Sequence, residues 1–338
     1  MLKGLAITPP ILGRIAIGKV VEKDGKRLPV KDDQFTITSQ LQQRDGWILH
    51  PVDEVLRKAQ GGKIRSIPIR LLFNEPDLNF RAEYSLFDRA NGRPLCVGDG
   101  ERCKRRGRDG LDSLPCPAPE ACPLAANGAC KPYGRLNVLI GDDDPLGSFI
   151  FRTTGFNSIR TLAARLEYFK AVSGNRLSCL PLELKLRGKS TRQSHGSAIF
   201  YVDITLRGHQ SIEEALSEAK RLDDERQAAG FDQAALDQAA RVGFRNGAFE
   251  DNEDDGSAVV EEFFPGVDTD GRVSETSTQS ASAAHGRNAA TGAAETETAT
   301  EAVKVNAGAK AADVIRPEMT TDALNAKLAA KAQQLSAV

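Results

Sequence analysis

A cysteine-rich segment, residues 96–134, limits what this chain can fold into more than any other stretch. It holds five of the six cysteines, and glycines and prolines interrupt it throughout. Such a segment has too little apolar content to bury a core and too many turn formers for a helix or a long strand. Four thiolates around a structural zinc ion (Zn²⁺) would hold it together, because metal binding supplies folding free energy directly. We therefore expect a zinc-stapled insertion here.

The spacing of the cysteines leaves one ligand open. The pattern is Cys96-x6-Cys103-x12-Cys116-x5-Cys122-x7-Cys130, which differs from the common pair of C-x2-C knuckles. Three of these cysteines, Cys116, Cys122 and Cys130, are the expected ligands, and the fourth is Cys96 or Cys103. The alternative is a set of free surface thiols, which is disfavoured because exposed thiols oxidise.

The sequence shows no arrangement typical of catalysis. A catalytic zinc site needs an open coordination position and usually histidine or carboxylate ligands. The four histidines lie outside the cysteine-rich segment and form no HExxH or HxE motif. Asp142–Asp144 would hold Mg²⁺ in a nuclease, but three adjacent acids before a proline are more typical of a solvated turn. Cys179 lies in an apolar run and is expected to be a buried small hydrophobic residue. We therefore expect no enzyme and no small-molecule substrate.

Charge divides the chain into a basic body and an acidic tail. Residues 250–338 carry 7 Lys or Arg against 16 Asp or Glu, whereas residues 1–249 carry 38 against 30. This asymmetry is compatible with nucleic-acid binding, and solubility tuning is the simpler explanation. Residues 270–312 have almost no large apolar side chains, which predicts disorder. Within the tail, Val259–Pro265 is a hypothetical docking peptide, and residues 321–334 suggest a helix that forms on contact.

Patterning outside the cysteine-rich segment is typical of an α+β fold. Period-two alternation predicts strands before it, and strands alternate with amphipathic helices after it. One helix is expected to begin after Asn157 or Ser158 as its cap, and another has a capping box of Ser211 and Glu214. The predicted organisation is a β-rich N-terminal half (1–95), the zinc-binding cysteine-rich segment (96–134), an α+β C-terminal half of the same body (135–249) and a disordered acidic tail (250–338).

The cellular setting follows from hydropathy and cysteine usage. No apolar run approaches the roughly 20 residues that span a bilayer, and the N-terminal residues lack a signal-peptide pattern. In a cytosolic chain the thiols stay reduced, and clustered cysteines more often bind metal than form disulfides. We therefore expect a cytoplasmic protein that does not associate with membranes.

Basic residues cluster in two places. An Arg-rich turn follows Cys103, and residues 147–209 hold ten Lys or Arg against three acids. Such residues bind nucleic acid by neutralising phosphate charge and releasing counterions. Alternatively, they form the polar faces of strands and of one amphipathic helix. The expected contacts to nucleic acid or to a protein partner are Lys104, Arg105, Arg106, Arg108, Arg187, Lys189 and Arg192.

The order of motifs resembles a known family. A strand over Pro76–Ala82 precedes Cys-x-Gly-Asp-Gly (96–100), an Arg-rich turn and Pro-Cys-Pro (115–117). Cys122, then Cys-Lys-Pro-Tyr-Gly-Arg-Leu (130–136) and Thr-x-Gly-x-Asn-Ser-Ile (153–159) follow. Over roughly residues 1–210 this order resembles the recombination directionality factor-like family of phages and integrative elements. Bacterial members often carry the label "hydrolase or metal-binding protein". In that family the first cysteine recurs, whereas the position of Cys103 is often small, so the resemblance favours Cys96 as the fourth zinc ligand.

The resemblance implies a non-enzymatic accessory protein of DNA recombination. Such a protein binds a serine integrase on DNA and biases it towards excision, as an allosteric effector. The alternative is a zinc-containing nucleic-acid-binding accessory protein of element replication or recombination, which contacts DNA directly. A metal-dependent hydrolase ranks third, because no catalytic residues support the label.

Overall fold

The computed structural model describes residues 11–23, 26–43, 46–142, 147–190, 198–243, 259–260 and 263–264, with side chains of 20–31 and 42–46 excepted. These residues form a mixed α+β fold with one large sheet, which confirms the predicted fold class. Arg192 and all but four residues of the predicted disordered tail lie outside the described residues. All of the described residues belong to one compact unit, residues 1–284.

Strands account for most of the described elements. They are β1 (Ile11–Lys23), β2 (Lys26–Gln43), β3 (Gly46–Leu49), β4 (Ser66–Arg70), β5 (Phe80–Phe87), β6 (Pro94–Gly98), β7 (Arg102–Arg106), β8 (Leu111–Pro115), β9 (Cys130–Ile140), β10 (Ser148–Thr153), β11 (Leu182–Lys189) and β12 (Ile199–Leu206). The helices are α1 (Pro51–Ala59), α2 (Pro76–Asn79), α3 (Ala118–Ala121), α4 (Phe156–Val172), α5 (Ile212–Ala228) and α6 (Gln233–Gly243). Short 3₁₀ turns lie at Pro123–Gly128, Leu177–Cys179 and Arg207–His209.

The sheet runs in the order β3-β2-β1-β10-β9-β5-β6-β7-β8. Its pairs are antiparallel except for β1 and β10, which run parallel from Ile11 opposite Ser148 to Ile15 opposite Phe151. The far end of β9 also pairs with β4, which continues through β11 to β12. Because β9 joins both strand groups, it is the central strand of the fold.

The main core fills the space between these two groups of strands. It includes Phe35, Ile69 and Leu136 from the strands and Leu162 and Leu166 from α4, each at most 1% exposed. Helix α4 packs against β12, β9 and β5. Cys179 is 2% exposed in this core, which confirms its predicted role as a buried hydrophobic residue.

Two local predictions need correction. Helix α4 begins two or three residues earlier than expected, with Gly155 at the N-cap position instead of Asn157 or Ser158. Ser158 lies inside the helix and is buried, because its Oγ accepts a hydrogen bond from the backbone of Val202 at 3.1 Å. The cysteine-rich segment, expected to lack long strands, contributes three five-residue strands and the start of the eleven-residue β9 at Cys130.

A hydrogen-bonded capping box opens α5, as predicted. Glu214 donates its backbone N–H to Ser211 Oγ at 3.2 Å, and the Ser211 N–H donates to the Glu214 carboxylate at 2.8 Å.

In the part of the chain that the structure describes, no helix has the length and apolar character needed to cross a bilayer.

Candidate metal centre and basic rim

The cysteine-rich segment extends the large sheet by three short antiparallel strands, β6, β7 and β8. Cys96 lies on β6 and Cys103 on β7, while Cys130 begins β9 on the other side of β5. Leu86 of β5 pairs with Cys96 on one side and with Cys130 on the other. Because directly paired residues project from the same face of a sheet, Cys96 and Cys130 flank Leu86 on one face.

A glycine makes room for the remaining thiols. Gly98 lies opposite Cys103, and a Cβ at this position would be 2.7 Å from Cys103 Cβ and 2.9 Å from Cys116 Sγ. Cys116 directly follows β8, where its N–H donates to the Glu101 carbonyl at 2.8 Å. Cys122 follows α3 and precedes the 3₁₀ turn at Pro123. The segment therefore brings together cysteines that are distant in sequence.

Burial and the proximity of the other cysteines disfavour the charged form of Cys103 and Cys130. Burial, followed by the charges of Cys96, Cys122, Cys116 and Cys103, raises the pKa of Cys130 to about 12. Burial and a hydrogen bond with Cys96 raise the pKa of Cys103 to about 11. A divalent cation reverses this preference, because a coordinated thiol is deprotonated. The donor chemistry of the cluster therefore suits a thiolate-binding metal such as zinc.

The thiols of the described residues are close together but do not form a metal-binding arrangement. Among the residues that the structure describes, no three His, Cys, Asp or Glu side chains are arranged to hold a metal ion. Cys103 is the most buried of the five thiols, and its Sγ donates to the Pro115 carbonyl at 3.7 Å. Zinc binds thiolate sulfur at about 2.3 Å, so coordination requires these side chains to turn towards a common point. The zinc site, and the choice of Cys96 over Cys103, stay predictions.

Four predicted contact residues, Lys104, Arg105, Arg106 and Arg108, lie on β7 and the turn after it, and we call them the basic rim. Arg106 and Arg108 are exposed, whereas Lys104 and Arg105 are half-buried. A hydrogen bond with Cys96 raises the pKa of Arg105, so this guanidinium contacts the cysteine cluster. Arg106 and Arg108 are the rim residues most available to a partner.

The other predicted contacts belong to a different part of the sheet. Arg187 and Lys189 lie on β11, which pairs with β4 and β12 and not with the strands of the cysteine-rich segment. Arg187 Nε donates to Asp203 Oδ2 at 2.9 Å, and Lys189 Nζ donates to Asn157 Oδ1 at 2.8 Å. These two cations are therefore committed to contacts within the fold.

Other cations of residues 147–209 are also ion-paired. The pairs are Arg165 with Asp203 (3.0 Å), Lys170 with Glu75 (2.7 Å), Arg176 with Asp223 (3.0 Å), Lys185 with Glu183 (3.4 Å) and Arg207 with Asp142 (2.6 Å). Of the two interpretations of this basic region, the pairs favour the structural one.

One row of cations is visible only from the strand register. Arg152, Arg135 and Arg81 lie side by side on β10, β9 and β5. Burial, and next the charge of Arg81, lowers the pKa of Arg135 to about 10, and its Nη2 pairs with Glu83 at 2.9 Å. This row concentrates positive charge on one part of the sheet, and cations directly opposite one another repel. Period-two patterning marks the strands, but it does not reveal which residues pair across them.

Asp142, the one acid of Asp142–Asp144 within the described residues, and His50 both have structural partners. Asp142 accepts from Arg70 and Arg207, so this carboxylate bridges β4 and the turn after β12. Burial raises its pKa, and the hydrogen bonds from Arg207 and Arg70 outweigh that effect and lower it. His50 Nδ1 accepts from the Val52 N–H at 3.3 Å as the cap of α1.

Comparison with known proteins identifies the family. A family model described as recombination directionality factor-like matches residues 12–207. This range runs from β1 through β12 and includes the whole cysteine-rich segment. No curated protein and no solved structure matches the chain. The family is not a known enzyme family, and it implies a role in DNA recombination, with recombination machinery and DNA as partners. Because the match covers more than half of the sequence, the chain belongs to the recombination directionality factor-like family.

Proposed function

We propose that this protein binds a serine integrase and biases it towards excision without catalysing a reaction itself. The observation that carries the proposal is the family match over residues 12–207, which spans every strand of the sheet. A directionality factor acts by binding one arrangement of the recombination complex more tightly than another. A tenfold preference corresponds to about 1.4 kcal/mol, which one small contact surface is able to supply.

The surface that best fits such a partner is the outer edge of the sheet at β8. Within the described residues β8 pairs only with β7, so its other side is a free edge. Leu111 on β8 is 43% exposed and lies opposite Arg106. An exposed strand edge with apolar and cationic side chains is suited to a protein partner. We call Arg106, Arg108 and Leu111 the edge surface.

The integrase test compares the wild-type protein with Arg106→Glu/Arg108→Glu. The wild type should be retained by the element's own serine integrase and should stimulate excision in a two-plasmid assay. The double variant should lose at least about tenfold of that stimulation. The matched control is Arg160→Glu, an exposed arginine on α4, and it should behave like the wild type. No retention together with no change in excision overturns the integrase proposal.

We further propose that a structural zinc ion stabilises the edge surface. Its ligands would be Cys96, Cys116, Cys122 and Cys130. The support is that Cys103 and Cys116 lie beside Gly98 and that the other four cysteines all act electrostatically on Cys130. Purified protein should contain one zinc per chain by mass spectrometry. A Cys116→Ser/Cys122→Ser variant should lose the metal and melt at a lower temperature. Metal-free wild-type protein with an unchanged melting curve in the variant overturns the zinc proposal.

The fourth ligand is tested by two single variants. Cys96→Ser should release zinc, whereas Cys103→Ser should retain it, because the Cys103 thiol already donates to the Pro115 carbonyl. The opposite result would assign Cys103 to the metal.

Direct DNA binding is the second candidate, and the exposed Arg106 and Arg108 favour it. Affinity for duplex DNA should fall steeply with salt, and the Arg106→Glu/Arg108→Glu variant should reduce the slope by about two. Undetectable binding at low salt removes this candidate and leaves contact through the integrase.

A further inference from the structure

A small aromatic cluster lies apart from the main core. It consists of Phe87 at the end of β5, Tyr133 on β9, and Val259, Phe263 and Phe264 from the region after α6. Each of these side chains is at most 7% exposed. The cluster is a satellite of the fold, since none of its members belongs to the main core.

Tyr133 projects from the face of the sheet opposite to α4. A Cβ on its neighbour Gly134 would lie 3.1 Å from Ile159 of α4, and successive residues of a strand project to opposite faces. The Phe87 and Tyr133 rings pack edge to face at 5.3 Å, and we call the site that they form the aromatic cleft. The cleft is therefore formed by residues of the sheet alone, because α4 covers the opposite face.

Val259, Phe263 and Phe264, with Val260 packed against them, fill the aromatic cleft. The Phe263 ring lies 4.8 Å from Phe87 and 5.7 Å from Tyr133, and Phe263 is fully buried. The Phe264 N–H donates to the Val260 carbonyl at 2.9 Å, a hydrogen bond with the spacing of a helical turn. A helical turn by itself is marginal in water, so the contacts with Phe87 and Tyr133 stabilise it.

Two cations on the body hold the docked turn. Lys131 Nζ donates to the Phe263 carbonyl at 2.6 Å and lies 4.7 Å from the centre of that ring. The Arg89 guanidinium lies 4.9 Å from the Phe264 ring centre. Such cation–ring contacts favour an aromatic ligand. The sequence places Glu261 and Glu262 between the two hydrophobic pairs, so the segment's charge is complementary to these cations.

We propose that the aromatic cleft is a peptide-recognition site for a short helical turn with two adjacent aromatic residues in an acidic setting, and that Val259–Phe264 is its resident, releasable ligand. A segment of the same chemistry on a protein partner can enter only when the resident turn leaves. The intramolecular ligand acts at an effective concentration on the order of millimolar, so the cleft is closed to weak ligands. This inference does not depend on the proposed function, since it concerns the opposite face from α4 and a peptide rather than an integrase or DNA.

The test uses the full chain and a fluorescent peptide with the sequence of residues 256–267. Wild-type protein should bind it weakly, because its own turn occupies the cleft. The Phe263→Ser/Phe264→Ser protein should stay folded by circular dichroism and bind the peptide at least about tenfold more tightly. A peptide with both phenylalanines replaced by serine should not bind. Phe156→Ser, at a residue that is 60% exposed, is the matched control and should behave like the wild type.

A second variant tests the cleft itself. Adding Arg89→Glu to the double serine variant should weaken peptide binding, whereas adding Arg108→Glu should not. Three results overturn the proposal: a folded double serine variant that does not bind, equal binding by wild type and variant, or a double serine variant that does not fold. Dimeric wild-type protein in light scattering, converted to monomer by the serine substitutions, would instead make a second copy the donor of the turn and overturn the intramolecular ligand.

Discussion

The Asp53 carboxylate joins α1 to β2 and is 1% exposed. Its Oδ2 accepts from the Ile37 N–H at 2.8 Å, and its Oδ1 accepts from Arg57 Nε at 2.9 Å. Arg57 also donates to Gln34 Oε1 at 2.6 Å. Asp53→Ala therefore removes the centre of a buried polar network and leaves two groups without their acceptor.

The size of the effect follows from what each group loses. A buried N–H without a partner costs about 1–3 kcal/mol, and breaking a buried ion pair by removing one member costs about 3–5 kcal/mol. The Arg57 side chain is 28% exposed and regains some hydration, so we expect a combined loss of about 3 kcal/mol. Asp53→Asn keeps an oxygen for the Ile37 N–H and should lose about half as much.

The same helix supplies the control. Glu54 and Lys58 have the same four-residue spacing as Asp53 and Arg57, but their side chains are 72% and 76% exposed. Glu54→Ala should change the free energy of unfolding by no more than about 0.5 kcal/mol. Urea unfolding followed by circular dichroism measures both variants. A loss for Asp53→Ala no larger than that for Glu54→Ala would refute the reasoning.

Three further predictions concern a glycine, a helix cap and an ion pair. Gly98→Ala places a Cβ 2.9 Å from Cys116 Sγ and should destabilise the fold by about 1–3 kcal/mol while altering thiol-labelling rates; unchanged labelling contradicts this. Ser211→Ala removes the α5 capping box and should cost about 1 kcal/mol in urea unfolding, so an unchanged midpoint contradicts it. The hydrogen bond from Lys170 lowers the pKa of Glu75 below its ordinary value of 4.5. Its stabilisation is therefore complete above pH 4.5 and lost as the pH falls through the lower folded value. Glu75→Gln should destabilise the protein at neutral pH but not at about pH 2, and an equal deficit at both pH values argues against the ion pair.

Local sequence patterns predicted much of the fold. Period-two alternation correctly predicted strands before the cysteine-rich segment, and the α5 capping box uses the expected Ser211 and Glu214. Both depend on neighbours within a few residues, which a sequence displays directly.

The features that sequence did not predict depend on distant partners. Ser158 looks like a helix cap, but it bonds to Val202, which is 44 residues away. Arg187 looks available to phosphate, but Asp203 on the paired strand neutralises it. Strand pairing also explains the cysteine-rich segment, whose short strands continue a sheet that begins elsewhere in the chain. The segment's composition indicated turns, and only its neighbours reveal the sheet.

The docked turn shows the same limit. The apolar residues of Val259–Pro265 predicted a docking peptide, and the structure seats Phe263 on Phe87 and Tyr133 of the same chain. A sequence shows that an apolar segment needs a surface to cover it, but it does not show which surface.

The parallel pairing of β1 with β10 has a consequence for synthesis on the ribosome. The hairpin of β1 and β2 is complete at Gln43, but the partner of β1 begins only at Ser148. At roughly 5–20 residues per second, about 5–20 s pass between the synthesis of the β1–β2 hairpin and that of β10, which pairs with β1. During that time Ile15, later buried in the core, is available to other nascent chains. Expression yield of this protein should therefore depend on translation speed and on chaperones that bind exposed strands.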